Sequence, residues 1–205
     1  MEAKLAGHAG KSERRSLSSA TRKRILAAAR KCFETLGIEQ TTIVDIATEA
    51  NYSRPIVYKH FADKSAIIDA ICLEELEVLQ AKLVQRLGDD LPPSEELTEA
   101  IVVAIILAKD SPHITRFMED RDSWVRSQKV GEQVRDWVRK RWEAFIKRGQ
   151  ESGALANDID VENVVTWIAM NQSQLLLRYQ DEDIDEDWLR NFIRRFVVRP
   201  LLAKP

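Results

Sequence analysis

Between Tyr52 and His60 the chain places Arg54, Tyr58, Lys59 and His60 within one short stretch, together with Ser53 and the apolar Pro55 and Ile56. Val57 and Phe61 lie four residues apart, one helical turn, so in a helix they share an inward face and leave Arg54, Tyr58 and Lys59 on the other. That outward set carries hydrogen-bond donors, positive charge and small apolar groups. A guanidinium at Arg54 matches the paired acceptors of a guanine edge, Lys59, Tyr52 and His60 can reach neighbouring bases, and Pro55 or Ile56 suits a thymine methyl.

Catalytic chemistry is not expected. There is no GxSxG, HExxH or glycine-rich phosphate loop, and His8, His60 and His113 have no nearby triad partners. The acids from Asp181 to Asp187 fall in a loop where no burial would tune them for proton transfer. Cys32 and Cys72 are far apart with no CxxC, so neither a disulfide framework nor a metal site is expected, and no cofactor.

The elements that must hold these residues are helices. Among 205 residues, 44% hydrophobic and 31% charged, Gly and Pro are scarce and strand-type alternation is absent, which predicts an all-α chain of about nine helices. Ile25, Leu26, Ala29, Cys32, Phe33 and Leu36 recur at spacings of three and four and predict a first helix over 20–36, stopped by Gly37. Thr42 caps a second helix that ends at Asn51, a residue that tolerates left-handed backbone. Ser53 caps the third, with Pro55 in its first turn, and this tight pair braced by the first helix makes a helix-turn-helix head. Asp63 caps a long fourth helix from Lys64 to about Leu87.

Further on, Ser94 is expected to cap a fifth helix, Ser111-Pro112 to open a sixth reaching about Glu119, and a seventh to run from about Ser123 to Glu151. Two closing helices are predicted over 161–179 and 186–202. Residues 1–19 read as a flexible basic arm, 20–66 as the head and 67–205 as the body. The charge divides accordingly: residues 1–66 hold 12 Lys and Arg against 7 Asp and Glu, or +5, and the remainder 19 against 26, or −7. A basic head on an acidic body suits a polyanion bound at one end. The longest apolar run, Ile101 to Ala108, is far short of the roughly 20 residues of a membrane helix, and the N-terminus lacks a signal-peptide pattern, so a cytoplasmic location is expected.

The stretch ILAAARKCFETLGIEQTTIVDIATEANYSRPIVYKHFADKSAII resembles the N-terminal head of the TetR family of bacterial regulators, in Phe33 before Gly37, Thr41-Thr42, Ile46-Ala47, Ser53, Val57-Tyr58, His60-Phe61 and Lys64. The resemblance implies a repressor of transcription that binds a palindromic double-stranded DNA operator as a homodimer joined through its last two helices. It assigns Tyr58 and Lys64 to DNA phosphates, with Thr42 adding a hydroxyl and a backbone amide. The sequence departs from the family's usual pattern at Asn51-Tyr52 and Arg54-Pro55-Ile56.

In the body, Phe117, Trp124, Trp137, Trp142 and Trp167 fall in helices that the resemblance puts around a pocket, and together they favour a small apolar effector. Asn171 sits between apolar turns, where burial without a partner is costly, so it either anchors a ligand or satisfies backbone. WEAFIKRGQESGAL and AMNQSQLL resemble the ethionamide-activation repressor type, whose pocket Asn holds a ligand carbonyl. The alternative of a different class is a helical ligand carrier or interaction module whose head no longer binds DNA.

Overall fold

The computed structural model describes residues 3–87, 91–114, 132–181 and 184–203. Among them the chain is all-α, with one isolated antiparallel bridge between Leu155 and Leu202. The helices are α1 (Ala3–Leu36), α2 (Ile43–Glu49), α3 (Arg54–His60), α4 (Lys64–Leu87), α5 (Pro93–Lys109), α6 (Glu132–Glu151), α7 (Val161–Asp181) and α8 (Glu186–Phe192). Two compact units divide the chain, Met1–Ile71 and Cys72–Pro205, and their boundary falls inside α4.

In the first unit the apolar stripe of α1 buries Ile25, Leu26, Ala29, Cys32 and Phe33 against Ile46 and Ala47 of α2, Val57 of α3, Phe61, and Ile67 and Ile71 of α4. Local chemistry sets the corners. Gly37 takes φ +80, a left-handed conformation that costs a Cβ-bearing residue about 1 kcal/mol, and its N–H closes the last turn of α1 on Phe33 O. Asn51 does the same between α2 and α3 at φ +54. The helix begins at Ala3, not at Ala20: a stretch without Pro carries α1 back through the segment expected to be an arm.

The second unit is built on α5, which buries Leu97, Ile101, Val102 and Ile105 among Ile146 of α6, Ile168 and Leu176 of α7, Leu189 of α8, and Ile193 and Val197. Its first residue is Pro93, with Pro92 at the cap, so the start lies before the expected Ser94 cap; a missing N–H costs nothing at that position. Ser94 instead offers its carbonyl to the Thr98 hydroxyl. Residues 112–114 begin a further turn, where the sixth helix is expected; the remainder of that helix and the start of the seventh lie outside the described residues.

After Phe192 the last helix widens to a π-helical turn over Ile193–Val198 and closes with a 3₁₀ turn over Arg199–Leu201. Pro200 has no N–H for the regular ladder, and the Arg199 N–H reaches back five residues to Arg194 O. The tail then pairs with the segment after α6, through Ala156 N–H to Leu201 O at 2.9 Å and Ala203 N–H to Ala154 O at 3.1 Å. Leu155 fits against Gly149, where an added Cβ would stand 2.6 Å from the Leu155 Cδ1. Among the described residues no helix is long and apolar enough to cross a membrane.

Candidate nucleic-acid interface

α3 is a seven-residue helix with one buried side chain, Val57. Arg54, Pro55, Ile56, Tyr58 and Lys59 are all exposed, and His60 is half-buried beside the C-cap. The geometry therefore brings the predicted reading residues onto one open face. Ser53 occupies the N-cap with extended backbone but makes no side-chain cap bond; its carbonyl takes the N–H groups of Ile56 and Val57. The hydroxyl that would normally close the helix start is left to other partners.

α2 is held by a full capping box. The Asp45 N–H donates to Thr42 Oγ1 at 3.3 Å, and the Thr42 N–H and hydroxyl donate to the Asp45 carboxylate at 2.9 and 2.6 Å. The Thr42 hydroxyl, and then its backbone N–H, hold the Asp45 carboxyl below its ordinary range. Thr42 is thus fixed at the first turn of α2, and the hydroxyl and backbone amide that the resemblance offered to a phosphate are both taken by the Asp45 carboxylate, the anion that this helix N-terminus favours. At the other end of α2, Glu49 pairs with Lys31 of α1 at 2.7 Å, which raises the lysine above its usual value.

Lys64 departs from the role that the resemblance implied. Its ammonium donates to Ile38 O at 2.9 Å, Glu39 O at 3.0 Å and Thr41 O at 2.9 Å. An ammonium has three N–H donors, and three carbonyls take them. The residue opens α4 as expected, but its charge ties that helix to the loop joining α1 and α2. Thr41, 1% exposed, completes the knot by donating its hydroxyl to Gly37 O at 2.8 Å.

Tyr52 also differs from a simple base contact. Its ring is half-buried against the head core, its N–H is bonded to Ala47 O at 2.9 Å, and the Arg24 guanidinium carbon stands 5.1 Å from the ring centroid. Sequence reasoning did not single out Arg24 or Arg22, because only the apolar stripe of α1 carries a periodic signal.

The described body residues differ in their settings. Trp137 and Trp142 are half-buried against the core, whereas Trp167 is 41% exposed and donates its indole N–H to Val197 O at 3.1 Å. Asn171 is half-buried, and its amide donates to Trp167 O one turn back at 2.8 Å, so the burial that singled it out is only partial. Phe117 and Trp124 lie outside the described residues. A cleft of about 270 Å³ between α6 and α7 is lined by Glu132, Arg135, Asp136, Arg139, Glu162 and the apolar Val138 and Val165, and not by Trp137, Trp142 or Trp167. Its charges are partly neutralised, since Arg139 spans Asp136 at 2.7 Å and Glu143 at 2.9 Å.

Comparison with known proteins agrees with the head's geometry. Residues 25–71 match the family described as bacterial regulatory proteins, tetR family. The HTH-type transcriptional regulator TtgW of Pseudomonas putida is 33% identical over 99 residues, 48% of this chain and 70% of that protein. The HTH-type transcriptional repressor KstR2 of Rhodococcus jostii is 27% identical over 148 residues, 70% of this chain and 72% of its own. The chain spans less than half, 44%, of another P. putida regulator at the same 33% identity. Among solved structures, RolR in complex with resorcinol superposes with a TM-score of 0.72 at 15% identity, covering 92% of this chain and 91% of that one, a likeness of fold. With its tight α2-α3 pair, the capping box of α2 and an open face bearing Arg54 and Lys59, the chain belongs to the tetR family of DNA-binding bacterial regulators.

Proposed function

We propose that the chain represses transcription by binding a roughly two-fold symmetric operator as a homodimer and leaves it when a small effector enters the body. The observation that carries the DNA part is α3, which buries Val57 and turns Arg54, Pro55, Ile56, Tyr58 and Lys59 outward. Arg54 reads a guanine, Pro55 or Ile56 meets a thymine methyl, Lys59 and His60 reach adjoining bases, and Tyr58 and Ser53 position the phosphates. Repression follows the relatives named repressors, and the operator places the protein in the cytoplasm.

Dimerisation is supported by large apolar side chains left open on the last two helices: Trp167 at 41%, Met170 at 63%, Trp188 at 37% and Phe196 at 56% exposure. Trp188, Phe192 and Phe196 form a ladder with successive ring centroids 5.1 and 5.0 Å apart. An isologous pairing of this face gives a two-fold dimer, the symmetry that a roughly palindromic operator requires. The effector part rests on the half-buried Trp137 and Trp142 at the edge of the body's core.

Selecting bound duplexes from a random pool tests the reading. The expected product is a two-fold sequence, and Arg54→Ala relaxes the preference at one base pair per half-site by about 1–3 kcal/mol. Binding that is indifferent to salt would favour a ligand carrier instead, since a DNA reader must release counterions. Screening apolar compounds for release of the selected duplex tests the effector step, and a panel that leaves binding unchanged removes it.

A further inference from the structure

Two guanidiniums of α1 are mounted on aromatic rings at the two ends of α3. Arg24 stands over Tyr52, which lies two residues before the first residue of α3, with its guanidinium carbon 5.1 Å from the ring centroid. Arg22 stands over Phe61, the C-cap residue of α3, at 4.5 Å. Both rings are anchored: Phe61 is 3% exposed and Tyr52 is packed against the head core. Both arginines are exposed, and among the described residues neither pairs with a carboxylate.

A guanidinium that rests its face on a ring keeps its N–H donors free at the edge, because those donors lie in its plane. The ring also restricts a side chain that would otherwise sample many rotamers, so less entropy is lost when the edge meets an acceptor. We infer that Arg22 and Arg24 are phosphate clamps that fix the register of α3 on the duplex, with Tyr52 a platform for Arg24 and not itself a reader of bases. This rests on the DNA-binding reading of the head. It also accounts for an aromatic residue at Tyr52, since a small aliphatic side chain there would leave Arg24 without a seat.

The test uses the full chain and a 30-base-pair random-sequence duplex, with affinity followed by fluorescence anisotropy across salt concentrations. Wild-type binding that does not weaken with salt would overturn the DNA reading itself. Given salt-dependent binding, Arg24→Gln and Arg22→Gln should each flatten the slope of log affinity against log salt by about 0.9 for every phosphate no longer neutralised. Tyr52→Phe, which keeps the ring, should leave slope and affinity unchanged. Tyr52→Val should flatten the slope as Arg24→Gln does, and the double variant should go no further than either alone. Unchanged slopes for both arginine variants, with circular dichroism melting lowered, would make the stacks merely structural and overturn the proposal. Loss of affinity in Tyr52→Phe would put the hydroxyl on the DNA and overturn the platform.

Discussion

Replacing Lys64 by Met separates two roles for one charge. The variant keeps most of the apolar stem but leaves the carbonyls of Ile38, Glu39 and Thr41 without their donor. A hydrogen bond from a charged donor contributes about 1.5–3 kcal/mol when it is buried. Here the Glu39 bond is exposed, so water replaces it at little cost, while those to Ile38 and Thr41 are half-buried and lose part of their value to solvent. Taking about 1 kcal/mol for each of the latter gives about 2 kcal/mol, or roughly 30-fold in an opening equilibrium. All five tryptophans lie after residue 72, so their fluorescence follows the second unit and would miss the effect. Hydrogen exchange followed by mass spectrometry on peptides covering residues 37–50 reports it directly, with exchange expected about 30-fold faster than wild type. Exchange within about twofold of wild type, combined with a salt slope of duplex binding reduced by about 0.9, would place the ammonium on a phosphate and refute the reasoning.

Gly149→Ala improves intrinsic helix propensity by about 1 kcal/mol, yet its Cβ would lie 2.6 Å from Cδ1 of Leu155, which is 1% exposed and cannot retreat. A net loss of about 1–2 kcal/mol is expected in thermal unfolding followed by tryptophan fluorescence; a raised midpoint would contradict the close fit. Thr42→Ala removes the α2 cap at a cost of about 1 kcal/mol and should let the Asp45 carboxyl rise toward its ordinary range, as read by NMR titration. Because the folded carboxyl is depressed, its contribution in the wild type is present above the unfolded pKa of about 4 and fades as pH falls through the folded value. The variant, which keeps the backbone N–H of residue 42, should show a weaker acid-side dependence. Phe196→Asp leaves the core intact, since the ring is 56% exposed, but should weaken self-association by about 30-fold or more in sedimentation if this face pairs.

What was legible in the sequence was what a few neighbouring residues decide. Thr42 with Asp45, Asn51 as a left-handed corner, Gly37 as a stop and Asp63 bonding the Ala66 N–H all act over three or four positions. The outward set of α3 follows from the same helical period. Lys64 was not legible in this way, because its acceptors lie 23 to 26 residues upstream in a turn whose carbonyls converge only after folding. The same holds for Arg24, whose ring lies across the head from it in sequence. Trp167 illustrates a different limit: helical periodicity marks an apolar face but does not say whether core, ligand or a second chain covers it. Ser94 lost the start of α5 to Pro92-Pro93 because two good initiators stood side by side.

The bridge between Leu155 and Leu202 closes the second unit on itself. Within the second unit the chain runs from residues 154–156 through α7 and α8 and returns to the same place at residues 201–203, where backbone hydrogen bonds close the circuit. A protomer that lent this pair to its neighbour would first have to unzip that closure and withdraw Leu155 from Gly149, so the clasp acts as a lock against domain swapping. The two strands of the clasp also mark natural suture points. A hairpin transplanted between relatives at these positions would carry the whole exposed aromatic face with it, and with that face the choice of pairing partner.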